Sequence, residues 1–153
     1  MIVASGAKHA LEIGGANGYS AIWIGLGLRE TGGRLTSDRV RSARARRSPP
    51  TTSAKPGSSD IVTMVSGDAF AAIRRSQASS TSCFSTRGSA TTSVFSITVM
   101  PRLRPHGLFL AHNVVNKQAE MRDFLAAIRS DPRLLTTIVE PSDEGMSISY
   151  KVR

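Results

Sequence analysis

Hydrophobic and polar positions alternate along much of this chain in a way that predicts strands and helices in turn. A short apolar strand at 10–13 ends in glycines, and residues 19–30 then have helical character up to the glycines at 32 and 33. Residues 118–130 are amphipathic, with apolar side chains at helical spacing at Met121, Phe124, Leu125 and Ile128. Further strands are predicted at 34–36, 60–65, 108–111, 135–139 and 146–152. This alternation favours a single α/β domain over residues 1–153, with a mostly parallel sheet covered on both faces.

Two segments break this pattern. Residues 37–59 contain six basic residues, one acidic residue and eight Ser or Thr, and residues 74–98 contain 13 Ser or Thr and no acidic residue. Neither has a helical stripe or an apolar strand before Val94, so both are predicted to be irregular, low-complexity regions in the middle of the domain.

The net charge of +9 is concentrated in the same two segments, which carry +5 and +3. A basic run at 39–47 could bind nucleic acid, which is the alternative to an enzymatic function. No aromatic residues interleave with the run, and the rest of the chain is nearly neutral, so a nucleic-acid partner is not favoured.

Composition excludes several classes of protein. The single cysteine, Cys83, cannot form an internal disulfide, and the longest apolar run, at 21–28, is too short to span a membrane. The N-terminus has no signal-peptide pattern, so a cytoplasmic protein without a membrane partner is expected.

The stretch LEIGGANGYS at 11–20 carries the most chemical information. Glycines at a strand-to-helix turn let a ligand approach the backbone, and the helix N-terminus offers N–H groups to an anion. The spacing is not G-x-G-x-x-G, which disfavours a dinucleotide site. It resembles instead the E-x-G-x-x-x-G motif of S-adenosylmethionine-dependent methyltransferases, and the longer string at 11–36 is similar to O-methyltransferases of the catechol and caffeoyl-CoA type.

Three other segments resemble the same family. They are VSGDA at 65–69, MPRLRPHGL at 100–108 and AHNV at 111–114, where many members have Ala-Asp-Asn-Val. The resemblance covers roughly two-thirds of the chain. It also implies that the family's helical N-terminal segment, which helps to cover cofactor and substrate, is missing.

The resemblance implies a Rossmann-like methyltransferase sheet with an antiparallel last strand, and methyl transfer to a hydroxyl of a small, phenolic acceptor. S-adenosylmethionine is the implied cofactor, and a homodimer is an open alternative to a monomer. The implied cofactor-binding residues are Glu12, Gly14, Gly15 and Gly18 at the methionine end, Ser20 at its carboxylate, and Asp68 and Ala69 at the adenine.

Two features of the family are absent: the acid that ends the second strand and binds the ribose, and the metal-binding Asp that ends the fourth. Asn113 matches a metal-ligand position, whereas His112 replaces an Asp, and a hard cation prefers oxygen. A Mg²⁺ site is therefore doubtful. His112 is either a general base or a structural histidine. We expect the chain as written to be a poor or inactive methyltransferase.

Both missing features fall inside the two atypical segments, which suggests that these segments are translated out of frame. Residues 38–42 can be coded by codons that, read one base later, give Ile-Glu-Tyr-Asp. Residues 82–88 can be coded by codons that, read two bases later, give Val-Phe-Leu-Asp-Ala-Trp. The alternative is a genuine pair of basic loops.

Overall fold

A computed structural model describes residues 1–15, 18–39, 60–66, 80–85 and 99–153 of the chain. In chain order, the elements in these residues are β1 (His9–Ile13), α1 (Tyr19–Thr31), β2 (Arg34–Arg39), β3 (Val62–Ser66), β4 (Ser80–Ser85), β5 (Leu103–His112), α2 (Arg122–Ser130), β6 (Leu134–Val139) and β7 (Met146–Lys151). Neither of the two described helices is long and apolar enough to cross a membrane.

The described strands form one seven-stranded sheet in the order β3-β2-β1-β4-β5-β7-β6. Neighbouring strands from β3 to β5 pair in parallel, whereas β7 lies between β5 and β6 and is antiparallel to both. The chain runs outward from β1 to β3 and then returns to the other side of β1 to form β4. This arrangement confirms the predicted Rossmann-like sheet with an antiparallel last strand.

The two described helices cover opposite faces of the sheet, as predicted. Successive strand residues point to opposite faces, so Ala10 packs with α1 in one core whereas Leu11 and Ile13 belong to another. The first core contains Ile24, Leu28 and Leu35, and the second contains Phe109, Phe124 and Ile128.

Glycines end α1 where the sequence predicted. Gly32 has φ 69°, and the next amide, Gly33 N–H, donates to Leu28 O at 2.8 Å, which closes the helix in a left-handed turn. A Cβ added to Gly33 would lie 2.7 Å from both Leu28 Cδ2 and Lys8 O, so no larger residue fits there.

The amphipathic helix α2 begins at Arg122, four residues later than predicted. Residues 114–121 form turns instead, which begin after Asn113 at φ 64°. A left-handed residue directly after β5 turns the chain away from a continuous helical ladder. Phe124, Leu125 and Ile128 are buried as their spacing predicted.

The prediction of an irregular middle region needs correction at residues 37–39 and 80–85. Residues 37–39 complete β2, and the whole of β4 lies inside the segment 74–98. Residues 82–85 pair with β1 on one side and with β5 on the other. Backbone ladders of this kind need no particular side chains, so a Ser-rich composition did not reveal them. Residues 40–59, 74–79 and 86–98 lie outside the described residues.

Candidate functional site

The carboxyl ends of β1, β4 and β5 meet at one edge of the sheet. Ile13 is opposite Ser85, and Ser85 is opposite Ala111, so the residues that follow these strands are neighbours. The sheet order changes direction between β1 and β4. In open α/β sheets, ligands bind in the crevice outside the carboxyl ends of the strands at this kind of switch point.

A buried carboxylate organises the β1 side of this edge. Glu12 is 0% exposed and accepts a hydrogen bond from the Ser20 hydroxyl on one oxygen and from the Ser37 hydroxyl, at 2.5 Å, on the other. Because a buried charge is costly without hydrogen-bond donors, the two serines allow Glu12 to be buried. The carboxylate thereby joins β1, the first turn of α1 and β2.

Ser37 is the residue of this group that the sequence did not indicate. It lies at the start of the atypical segment 37–59, yet it is fully buried and directly opposite Glu12 in the β1–β2 ladder. No local signal in the sequence marks it, because its contact with Glu12 depends on the register between β1 and β2.

The glycine turn connects β1 to α1. Gly14 and Gly18 have φ 93° and 77°, and Gly18 N–H donates to Gly15 O at 2.6 Å. A Cβ on Gly18 would meet nothing within 4 Å, so the turn borders open space. No side chain of the described residues caps the N-terminus of α1, and its first turn has no acidic residue. These properties suit an anionic ligand at the helix N-terminus.

The β5 side of the edge contains a histidine and a carboxylate. His112 Nε2 lies 3.2 Å from Glu144 Oε2, and their side chains are 32% and 49% exposed. Glu144 belongs to the loop between β6 and β7, and its carbonyl accepts a hydrogen bond from Val115 N–H at 3.0 Å. Sequence reasoning singled out His112 but missed Glu144, since 32 residues separate them.

The predicted site residues therefore fall into three groups. Glu12, Gly14, Gly15, Gly18 and Ser20 surround the β1–α1 turn, and His112 and Asn113 lie at the end of β5. Asp68 and Ala69 lie outside the described residues. Ser20, which was expected to meet the carboxylate of the cofactor, donates to Glu12 in this structure.

The residues at the end of β5 do not fit a Mg²⁺ site. His112 offers nitrogen, which a hard cation disfavours, and its Nε2 already contacts Glu144. Across the part of the chain that the structure describes, no three His, Cys, Asp or Glu side chains are grouped as metal ligands.

Three crystal structures illustrate what this fold resembles. The O-methyltransferase TomG from Streptomyces achromogenes, involved in tomaymycin synthesis and solved with SAM, superposes with a TM-score of 0.79 at 20% identity, over 98% of this chain and 75% of TomG. An O-methyltransferase from Bacillus cereus in complex with SAH gives 0.78 at 19% identity, over 98% and 76% of the two chains. The SAH-bound methyltransferase PaMTH1 from Podospora anserina gives 0.78 at 19%, over 99% and 76%.

At these identities the likeness shows the fold. No curated protein matches the sequence. A family model described as a methyltransferase domain does match, over residues 11–114, which is more than half of the chain and includes the glycine turn and the end of β5. The chain therefore belongs to the methyltransferase domain family.

Proposed function

We propose that this protein binds S-adenosylmethionine at the β1–α1 turn and transfers its methyl group to a hydroxyl of a small, phenolic acceptor. The observation that carries the proposal is the buried Glu12, held by Ser20 and Ser37 directly beneath a glycine turn that opens onto a helix N-terminus. This arrangement fits the methionine end of the cofactor, whose carboxylate is an anion that the N–H groups at the helix N-terminus can bind.

When bound, S-adenosylmethionine supplies a methyl group on a positively charged sulfur, and an acceptor oxygen takes this methyl as the C–S bond breaks. The chain's own contribution is mainly one of alignment. Glu12 fixes the conformation of the turn, and the N-terminus of α1 offers N–H groups to the methionine carboxylate. The predicted cofactor contacts of Gly14, Gly15, Gly18, Ser20, Asp68 and Ala69 belong to this proposal.

On the acceptor side we assign His112 the role of general base. With Nε2–H donated to Glu144, Nδ1 is the nitrogen left to take the proton of the acceptor hydroxyl. His112 lies at the end of β5, on the far side of β4 from the glycine turn. The acceptor would therefore bind across the switch point from the cofactor.

The remaining parts of the proposal concern efficiency and setting. We propose slow turnover, because β4 contains no acidic residue and the acid near the end of β2, Asp38, lies one position before the site that the resemblance implies for the ribose-binding acid. The proposal also includes a cytoplasmic location and association into a homodimer.

Two measurements on the purified 153-residue chain test this function. We expect saturable calorimetric binding of S-adenosylhomocysteine, and slow transfer of labelled methyl from S-adenosylmethionine to catechol and simple phenols. Glu12→Gln should bind S-adenosylhomocysteine more weakly. Its matched control is Glu30→Gln, which alters an exposed acid at the far end of α1.

DNA binding measured against salt tests the alternative function, nucleic-acid binding. A steep salt slope without cofactor binding would replace our proposal with a nucleic-acid-binding function.

A further inference from the structure

The end of β5 differs from the family pattern in a way that the structure explains. Many O-methyltransferases of the type that this chain resembles have an Asp at this position. This chain has His112 instead, which faces the carboxylate of Glu144. We infer that this side-chain pair holds the acceptor side of the site in place of a divalent cation, with Glu144 as the positioning residue for His112. The inference rests on the proposed function for its catalytic consequence, but its structural content can be tested separately.

Glu144 is fixed by its backbone as well as by its side chain. Its carbonyl accepts the Val115 amide, and Gly145 N–H donates to Ser142 O at 3.1 Å. The first bond fastens the β6–β7 loop to the residues that follow β5, and the second closes a turn within the loop. The carboxylate of Glu144 is thus presented to His112 by a bound loop.

Gly145 shows how closely this loop approaches. It is buried at φ 66°, and a Cβ at this position would lie 2.3 Å from Val115 Cγ2 and 2.9 Å from Val115 Cβ. Only glycine combines this left-handed backbone with this close contact. The backbone of the neighbouring Glu144 is therefore held close to the residues that follow β5.

A cation at this place would have to compete with the pair. Mg²⁺ and Ca²⁺ are bound by several oxygen ligands in a set geometry. Here one of the candidate ligands is an imidazole, and the nearest carboxylate among the described residues is already its partner. The second candidate metal ligand is Asn113, which follows His112 at the end of β5 and has a left-handed backbone at φ 64°. The hydrogen bond between His112 and Glu144 fixes the orientation of the acceptor side of the site, which a bound metal would otherwise fix.

The first test is cation binding, measured apart from activity. Chelator-treated protein is titrated with Mn²⁺ by electron paramagnetic resonance, and its thermal unfolding is followed with Mg²⁺, Mn²⁺ and Ca²⁺, with and without S-adenosylhomocysteine. We expect no saturable binding and no shift in Tm. Saturable Mn²⁺ binding that His112→Ala abolishes would overturn the inference.

The second test is the positioning role of Glu144. We expect Glu144→Gln to lower kcat about 10–100-fold, a part of the ~10²–10⁴-fold that a positioned general base contributes, while the KM for the acceptor and the affinity for S-adenosylhomocysteine stay unchanged. Glu144→Asp should restore part of kcat. Asp143→Asn, an exposed acid in the same loop, is the matched control and should change nothing.

A spectroscopic readout covers the case of a chain without measurable turnover. The ring-nitrogen NMR signals of His112 report which nitrogen carries the proton, and we expect Glu144→Gln, but not Asp143→Asn, to change them. Unchanged His112 signals in Glu144→Gln would overturn the positioning role. Absence of methyl transfer, with the cation and NMR results as expected, would contradict only the proposed function.

Discussion

The amino-terminal part of the sheet (β1, α1 and β2) and the carboxyl-terminal part (β5 to β7 with α2) are built from different side chains. The core around α1 is made of alanines and aliphatic residues, namely Ile2, Ala7, Ala10, Ala21, Ile24, Leu28 and Leu35. The core around α2 contains Phe109 and Phe124, whose ring centroids are 5.8 Å apart, and many larger aliphatic residues. Among the described residues, the core around α2 therefore buries more and larger apolar side chains, with Leu11 and Ile13 of β1 also belonging to it.

The burial of the polar side chains at the candidate site shows the opposite trend. Glu12 in the amino-terminal part is fully buried and hydrogen-bonded on both oxygens, whereas His112 and Glu144 are partly exposed. Among the described residues, the part with the smaller core thus has the more deeply buried polar site. The comparison suggests that cofactor recognition depends on the amino-terminal part and that stability depends on the carboxyl-terminal part.

The largest effect is expected from truncation of the aromatic core. Phe124→Ala should lower the free energy of unfolding by about 3–5 kcal/mol, since a fully buried ring is lost and a cavity remains. Leu28→Ala, in the α1 core, is the matched variant and should cost less, towards the lower end of the ~2–5 kcal/mol typical of a buried leucine. Urea unfolding measures both, and a larger cost for Leu28→Ala would reverse the comparison.

Gly145→Ala comes next, at about 2–5 kcal/mol, because a left-handed backbone costs ~1–2 kcal/mol and overpacking against Val115 a further ~1–3 kcal/mol. Gly6→Ala is the control: Gly6 has φ 61°, but a Cβ there would meet nothing within 4 Å. It should show only the backbone cost, about 1–2 kcal/mol, in the same urea experiment. Equal losses would mean that the β6–β7 loop is not packed as closely as described.

Glu12→Gln should weaken S-adenosylhomocysteine binding by about tenfold or more, equivalent to ~1.4 kcal/mol, because the charge that accepts both serine hydroxyls is removed. Calorimetry measures the affinity, and circular dichroism verifies that the variant is folded. If Glu12→Gln binds as tightly as the Glu30→Gln control, the buried carboxylate does not organise the cofactor turn.

The smallest effect concerns the turn between α2 and β6. Hydrogen bonds from the Arg133 side chain to Asp131, the nearer at 2.6 Å, lower the pKa of Asp131 below 3.8. A carboxyl whose pKa is lowered by folding stabilises the protein above its unfolded pKa, and this contribution disappears as the pH falls through the folded value. Because Arg133 is 52% exposed, we expect Asp131→Asn to cost only about 0.5–1 kcal/mol at neutral pH.

Urea midpoints of Asp131→Asn and of the unaltered chain measure this contribution at successive pH values. The gap between them should be constant at neutral pH and should close below about pH 4, where the unfolded carboxyl titrates. A gap that widens in acid would contradict the assigned direction of the pKa shift.

The sequence predicted those features that depend on local pattern. The glycines around α1, the spacing of Phe124 and Ile128, and the strand that ends before Gly14 follow from short-range backbone and packing rules. The amphipathic pattern was clearer in α2 than in α1, because α1 exposes Tyr19, Ile22, Trp23 and Leu26. The strand at the end of β5 was predicted as well, whereas β4, which lies between β1 and β5, was not.

Features that depend on pairing across the chain were not predictable. Ser37 acquires its role only through the register that places it opposite Glu12, and Glu144 through a loop that returns to the end of β5. The strand β4 forms from Ser-rich sequence because β1 and β5 supply its hydrogen-bond partners. It lies where the shifted reading frame would give Val-Phe-Leu-Asp-Ala-Trp, and that hypothesis stays a prediction for resequencing of the coding DNA.

The most direct test of the central claim is a titration of the isotope-labelled chain with S-adenosylhomocysteine, followed by amide NMR. We predict saturable shifts at the amides of Gly14, Gly15, Gly18, Ser20 and Ser37, with the amides of Phe124 and Ile128 unchanged. Shifts confined to the carboxyl-terminal part, or none in a chain that gives the spectrum of a folded protein, would contradict the assignment of cofactor recognition to the buried Glu12 and its glycine turn.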